Sequence, residues 1–243
     1  MAEMGLGYGS EYQLLRFLGH HRNFLEEQIC NNMKYNGKLH FLDFPSDNGR
    51  LSLDSEYIGI NFLEKDKTIN YENMENNWKN YWPYSPKGQQ NWDAVIINDD
   101  NEYILVEAKA WLGELKTDIS KDAKETSIKK INKAFEETKQ RFKIFTENNW
   151  LKDYYQLANR IAFLNFLHKN NIKSSLLYIY FINGYEKRRI IKKEKKLIES
   201  KSVKSKTEWE KEIKHEYEHL GISNSEVLKH IFSIYIDCKK VEK

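Results

Sequence analysis

Hydrophobic positions recur along this 243-residue chain with two periods, one helical and one of strands, and their order outlines a mixed α/β fold. Leu14, Leu18, Leu25 and Ile29 share one helical face and predict a long first helix running to about Met33. Ser10 reads as its N-cap, with Gln13 three positions on completing a capping box. Gly5, Gly7 and Gly9 precede it as a flexible lead-in. Lys38 to Phe44 reads as a short strand stopped by Pro45. Residues 46–91 are polar and rich in Asn, and carry one helix over about Tyr71–Tyr81 that ends before Pro83. Pro86 and Gly88 mark a loop after it.

The β pattern then sharpens. Asp93 to Ile97 and Tyr103 to Ala110 are strands joined by the turn Asn98–Asn101, which makes a hairpin. A helix over about Glu125–Thr146 places Ile128, Ile131, Phe135, Phe142 and Phe145 on one face. A second, about Asp153–Lys169, does the same with Leu157, Ile161 and Leu164. Ser174–Ile182 is a nearly continuous apolar run, the signature of a strand buried on both faces. A basic stretch follows, helical in pattern to about His219, and Ile231–Cys238 forms a last strand. Neither an internal repeat nor a Pro- or Gly-rich linker divides the chain. The expected fold class is α/β, a small mixed central sheet flanked by helices, in a single domain over residues 1–243 with a basic insertion at about 186–219.

Composition narrows the function classes. With 40% hydrophobic and 14% aromatic residues a sizeable core is expected, and disorder throughout is excluded. The longest apolar run, Leu176–Ile182, is far short of a membrane span, and the N-terminus lacks the basic and apolar regions of a secretory signal. Cys30 and Cys238 form neither a CxxC nor a zinc spacing, so a reduced, cytoplasmic setting is expected. Net charge is only +3, but it is unevenly spread: Lys187–Lys206 carries +8, leaving −5 for the remainder. That asymmetry suits a polyanionic partner, or a solvated helix. No Gly-rich phosphate loop, GxSxG elbow or HExxH motif is present.

One strand carries chemistry that its surroundings do not explain. Tyr103-Ile-Leu-Val-Glu107-Ala-Lys109 puts a carboxylate and an ammonium two residues apart, side by side on one face of an apolar strand. Burying both is costly unless they pair or hold a ligand. The other strand of the hairpin opens with Asp93, so two carboxylates and a lysine can converge on one edge. Such a set suits a hard cation, Mg²⁺ or Mn²⁺, that keeps several of its waters. Other acid-x-Lys triplets occur, such as Asp122/Lys124 and Glu212/Lys214, but in polar stretches where the pair is a solvated face.

Trp92-Asp93-Ala-Val, followed by Val106-Glu107-Ala-Lys109 and preceded by a helix bearing Glu11, resembles the PD-(D/E)XK nuclease superfamily, with Trp92 where the motif's name has Pro. Gly9–Arg16, Val106–Glu114 and Tyr154–Arg160 look like a bacterial branch of it. The resemblance implies a restriction-endonuclease-like fold, with a four-stranded mixed sheet, and a Mg²⁺- or Mn²⁺-dependent nuclease. It implies Asp93 and Glu107 as metal ligands, Glu11 as the helix-borne acid, and Lys109 as the group that orients or activates the attacking water. Tyr155, Gln156, Asn159 and Arg160 set polar groups on an apolar helix, as substrate contacts, support for the site, or simply a helix edge. Glu114 follows the strand and could support the site. Lys87, Arg160, Lys192, Lys193, Lys195 and Lys196 are candidate nucleic-acid contacts. The expected partner is nucleic acid, DNA before RNA, without a membrane and with a homodimer left open. Two rivals stand beside this reading: an inactive nuclease-fold module that binds nucleic acid or a protein, and a protein that uses its charged 187–219 stretch for assembly.

Overall fold

Ser174–Ile182 is buried at every position, and that apolar run is the spine of the molecule. A strand with no solvent face needs layers on both sides and neighbours on both edges. The computed structural model, which describes residues 9–42, 46–47, 50–51, 56–85, 88–185 and 202–241, supplies them. In chain order the helices are α1 (Ser10–His20), α2 (Arg22–Met33), α3 (Tyr71–Tyr81), α4 (Glu125–Phe142), α5 (Tyr155–Lys169) and α6 (Lys206–Leu220). The strands are β1 (Leu39–Leu42), β2 (Ser46–Asp47), β3 (Arg50–Leu51), β4 (Tyr57–Ile58), β5 (Asn91–Trp92), β6 (Ala94–Asn98), β7 (Tyr103–Lys109), β8 (Ser174–Ile182) and β9 (Ile231–Asp237). Five of them form one mixed sheet in the order β1-β6-β7-β8-β9. The β1–β6 and β6–β7 pairs are antiparallel; β7–β8 and β8–β9 are parallel. Among the described residues, no helix is long and apolar enough to cross a membrane.

The period-2 alternation of β7 sorts the helices into two layers. Ile104, Val106 and Ala108 join a core with Leu14, Phe17 and Leu18 of α1 and with Leu25 and Ile29 of α2. Tyr103 and Leu105 face the other way, into a larger core with Trp78 of α3, Phe135 of α4, Phe163 of α5 and Trp209 of α6. Glu107 and Lys109 share that second parity, so they point into the layer of α5 and α6, while α1 lies across the sheet.

Three expectations change. The first helix is broken at His21, whose φ of −129° and ψ of 31° leave the helical region. Arg22 Nε donates to the Leu18 carbonyl at the break, and both halves then turn apolar residues onto the sheet. Ser10 does not cap α1: Gly9 is the cap, and the Ser10 hydroxyl instead donates to Glu114 Oε1 at 3.1 Å. α4 stops at Phe142 because Lys143 takes the left-handed conformation and sends Ile144 into the core. Phe145, expected on the buried face, is therefore 88% exposed.

Candidate active site

Ala94 pairs with Val106 at the start of β6, and Asp93, just before it, steps out of that register and bonds to the backbone on either side of Glu107. The Asp93 amide donates to the Val106 carbonyl at 3.2 Å, and Asp93 Oδ2 accepts from the Ala108 amide at 2.7 Å. Lys109, two residues on, reaches back along the same face to Glu107 Oε1 at 2.7 Å. Asp93 thus lies by Glu107 and Lys109 at the C-terminal end of β7, and their charges act on its carboxyl.

Most of Glu107's partners come from α5. That helix is buried from Leu157 to Leu167, so its polar side chains must find partners inside. Arg160 Nε donates to Glu107 Oε2 at 2.9 Å, and Gln156 Nε2 donates to Oε1 at 2.9 Å. Arg160 also donates to Asn159 Oδ1 and to the Asn91 carbonyl, both at 2.8 Å, and lies 4.8 Å from the Trp92 ring centroid. This corrects the expectation of a phosphate contact: Arg160 is an internal partner of Glu107, 5% exposed. Gln156 and Asn159 support the site as the sequence allowed. Tyr155 instead packs edge-on against Phe135 at 6.2 Å, and burial pushes its hydroxyl up to about 12.

These surroundings set the charges. Burial works against ionised Glu107, but Arg160 and Lys109 outweigh it and hold the carboxyl below its ordinary range. Burial likewise opposes the Lys109 ammonium, and Glu107, Asp93 and Glu114 reverse the balance. Asp93 is pushed up to about 8 by burial and the Glu107 charge, with Lys109 pulling the other way. Glu114 is raised chiefly by burial, and accepts from the Ala110 amide at 2.6 Å and from Ser10. It ties the end of β7 to the start of α1.

Two acids join the site that sequence reasoning missed. Tyr57 pairs with Trp92 in the β4–β5 ladder, so Glu56 falls opposite Asp93 on the side away from Glu107. Glu56 raises both Asp93 and Glu11, and accepts from Asn91 Nδ2 at 2.8 Å. Glu11 is raised first by burial and then by the Glu56 charge. Glu216 of α6 enters from above the sheet, 2% exposed. No signal marked Glu56, whose strand has two residues; Glu216 could have been found as the acid interrupting the stripe Trp209, Ile213, Leu220. Lys87, Lys192, Lys193, Lys195 and Lys196 lie outside the described residues.

A divalent cation fits this set in a limited way. Among the described residues, no three acidic, histidine or cysteine side chains group closely enough to hold a metal between them. Asp93 Oδ2 is engaged by the Ala108 amide, and among the described residues Oδ1 has no such partner, so it could meet a cation that keeps most of its waters. A positive charge there would also relieve its raised carboxyl. Both Glu107 oxygens already accept from the protein, so Glu107 would join a cation only by loosening a partner.

No family model, curated protein or solved structure matches the chain.

Proposed function

We propose that this protein is a metal-dependent nuclease that hydrolyses phosphodiester bonds, in DNA before RNA, on a restriction-endonuclease-like fold. The observation that carries the reading is Asp93, bonded to the backbone on both sides of Glu107, with Lys109 paired to Glu107 on the same strand. In this reading Asp93 holds Mg²⁺ or Mn²⁺ with help from Glu107, and Glu11 and Glu56 add negative potential at the strand edge. The bound cation would supply charge compensation at the phosphate and lower the pKa of a water. Lys109, fixed by Glu107, orients that water or the phosphate oxygens. The basic stretch favours a polyanion, and Tyr185, the last described residue before it, lies close to the end of β7. Tyr185 lies 5.8 Å, ring to ring, from Trp111, two residues beyond Lys109, and its amide donates to the Ser202 hydroxyl at 2.9 Å.

A second reading draws on a different observation. Glu107 is 4% exposed and its oxygens are taken up by Lys109, Gln156 and Arg160. A buried ion network of that kind also suits a nuclease-fold module that binds without cleaving. Mn²⁺ binding followed by electron paramagnetic resonance separates the two. The nuclease reading expects binding by the wild type that Asp93→Asn abolishes; a wild type that binds no Mn²⁺, or an unaffected variant, favours the binding module.

A further inference from the structure

Glu216 is an acid in the wrong place for a helix that only packs. α6 lays Trp209, Ile213 and Leu220 onto the sheet, and Glu216 falls on the same stripe. Its Oε2 is buried and finds no hydrogen-bond partner among the described residues. Burial pushes the carboxyl up to about 8, and Lys109 is the charge that opposes that rise. A second buried orphan lies beside it. Tyr178 pairs with Glu107 in the β7–β8 register, is 3% exposed, and its hydroxyl has no partner among the described residues. Glu107 and Glu216 are the charges that most affect it after burial itself.

Hydrogen-bond accounting connects these atoms. An ammonium has three donors, and buried Lys109 spends one on Glu107 Oε1. Among the described residues its other two donors find no partner, while both buried orphans lie near Glu107, the residue that holds the ammonium, and native proteins rarely leave such groups unmatched. Neither acceptor is within direct bonding reach, and a buried water with two to four polar partners closes a gap of this kind.

We propose that Glu216 and Tyr178 are positioning residues for Lys109: through bridging water they complete its hydrogen-bonding shell and fix the ammonium over the Asp93–Glu107 pair. α6 thereby becomes part of the site. The positioning stands on these buried polar groups alone, and its effect on turnover rests on the nuclease reading.

The test measures two things on Glu216→Leu, Glu216→Gln and Tyr178→Phe. One is the ¹⁵N resonance and proton-exchange rate of the Lys109 ammonium; the other is kcat and KM for Mn²⁺-dependent DNA cleavage. Glu216→Leu should shift the Lys109 resonance, speed its exchange, and lower kcat about tenfold with KM unchanged, the loss expected for one hydrogen bond to a charged group. Glu216→Gln keeps an acceptor of the same shape and should recover most of both signals, which a packing role would not predict. Tyr178→Phe should reproduce the Leu effect in part. A Lys109 resonance and kcat in Glu216→Leu equal to those of the wild type would overturn the proposal. If the wild type cleaves nothing, the nuclease reading fails, and the Lys109 resonance alone decides the positioning.

Discussion

Glu107 shows at residue scale how the site is held. Its carboxylate is kept charged in the interior because Lys109 and Arg160 each donate to it. Removing one partner leaves a buried charge under-compensated, so Arg160→Ala should cost roughly 3–5 kcal/mol, read as a lower denaturant midpoint. Arg160→Lys should recover little of that, since a lysine cannot reach Glu107, Asn159 and the Asn91 carbonyl together. An Arg160→Ala protein as stable as the wild type would contradict the network. Glu216 has the opposite character. Its folded-state value of about 8 lies above the ordinary 4.5, so between those values the native state holds a proton that the unfolded chain has lost. The stability linked to this group is therefore complete below about pH 4.5 and declines as pH rises towards 8. At about 1.4 kcal/mol per pH unit, the loss is on the order of a few kcal/mol. Glu216→Gln should flatten that part of the stability–pH profile; an unchanged slope would show that the carboxyl titrates normally.

At the scale of elements, the parts legible in the sequence were those whose local pattern and tertiary role agree. α3 spans the residues its periodicity predicts, and the hairpin, β8 and β9 lie within a residue or two of expectation. What could not be read depends on distant partners. Ser10 has the chemistry of a cap, yet its hydroxyl goes to Glu114, 104 residues away. Glu56 becomes a neighbour of Asp93 only through a two-residue strand pair. The polar side chains of α5 look like a helix edge until burial on all sides forces them onto Glu107. The end of α4 gives this a direct check. Ile144 is 5% exposed and Phe145 is 88% exposed, so Ile144→Ala should cost about 2–5 kcal/mol and Phe145→Ser less than about 0.5. The reverse order would restore the longer helix that the sequence predicts.

The whole molecule is a five-stranded mixed sheet between two helical layers, with its unusual charges gathered at one end of β7. The basic stretch is the second large-scale feature, and a net +8 over Lys187–Lys206 has a measurable consequence if nucleic acid binds there. Neutralising Lys192, Lys193, Lys195 and Lys196 should weaken binding to duplex DNA. It should also reduce the log–log salt slope by about 0.9 for each duplex phosphate that the protein no longer neutralises. An unchanged slope would assign the segment to solvent. The central claim concerns the adjacent carboxylates, and it is tested most directly by Mn²⁺-dependent cleavage of DNA and RNA measured together with Tm, on the wild type, Glu107→Gln and Lys109→Ala. The nuclease account predicts that the wild type cleaves and that both variants, though less stable for losing part of the buried network, remain folded at the assay temperature. Glu107→Gln should be nearly inactive, and Lys109→Ala slowed by about 10²–10³. A wild type that cleaves neither nucleic acid would leave Glu107 and Lys109 as a structural ion pair and contradict the account.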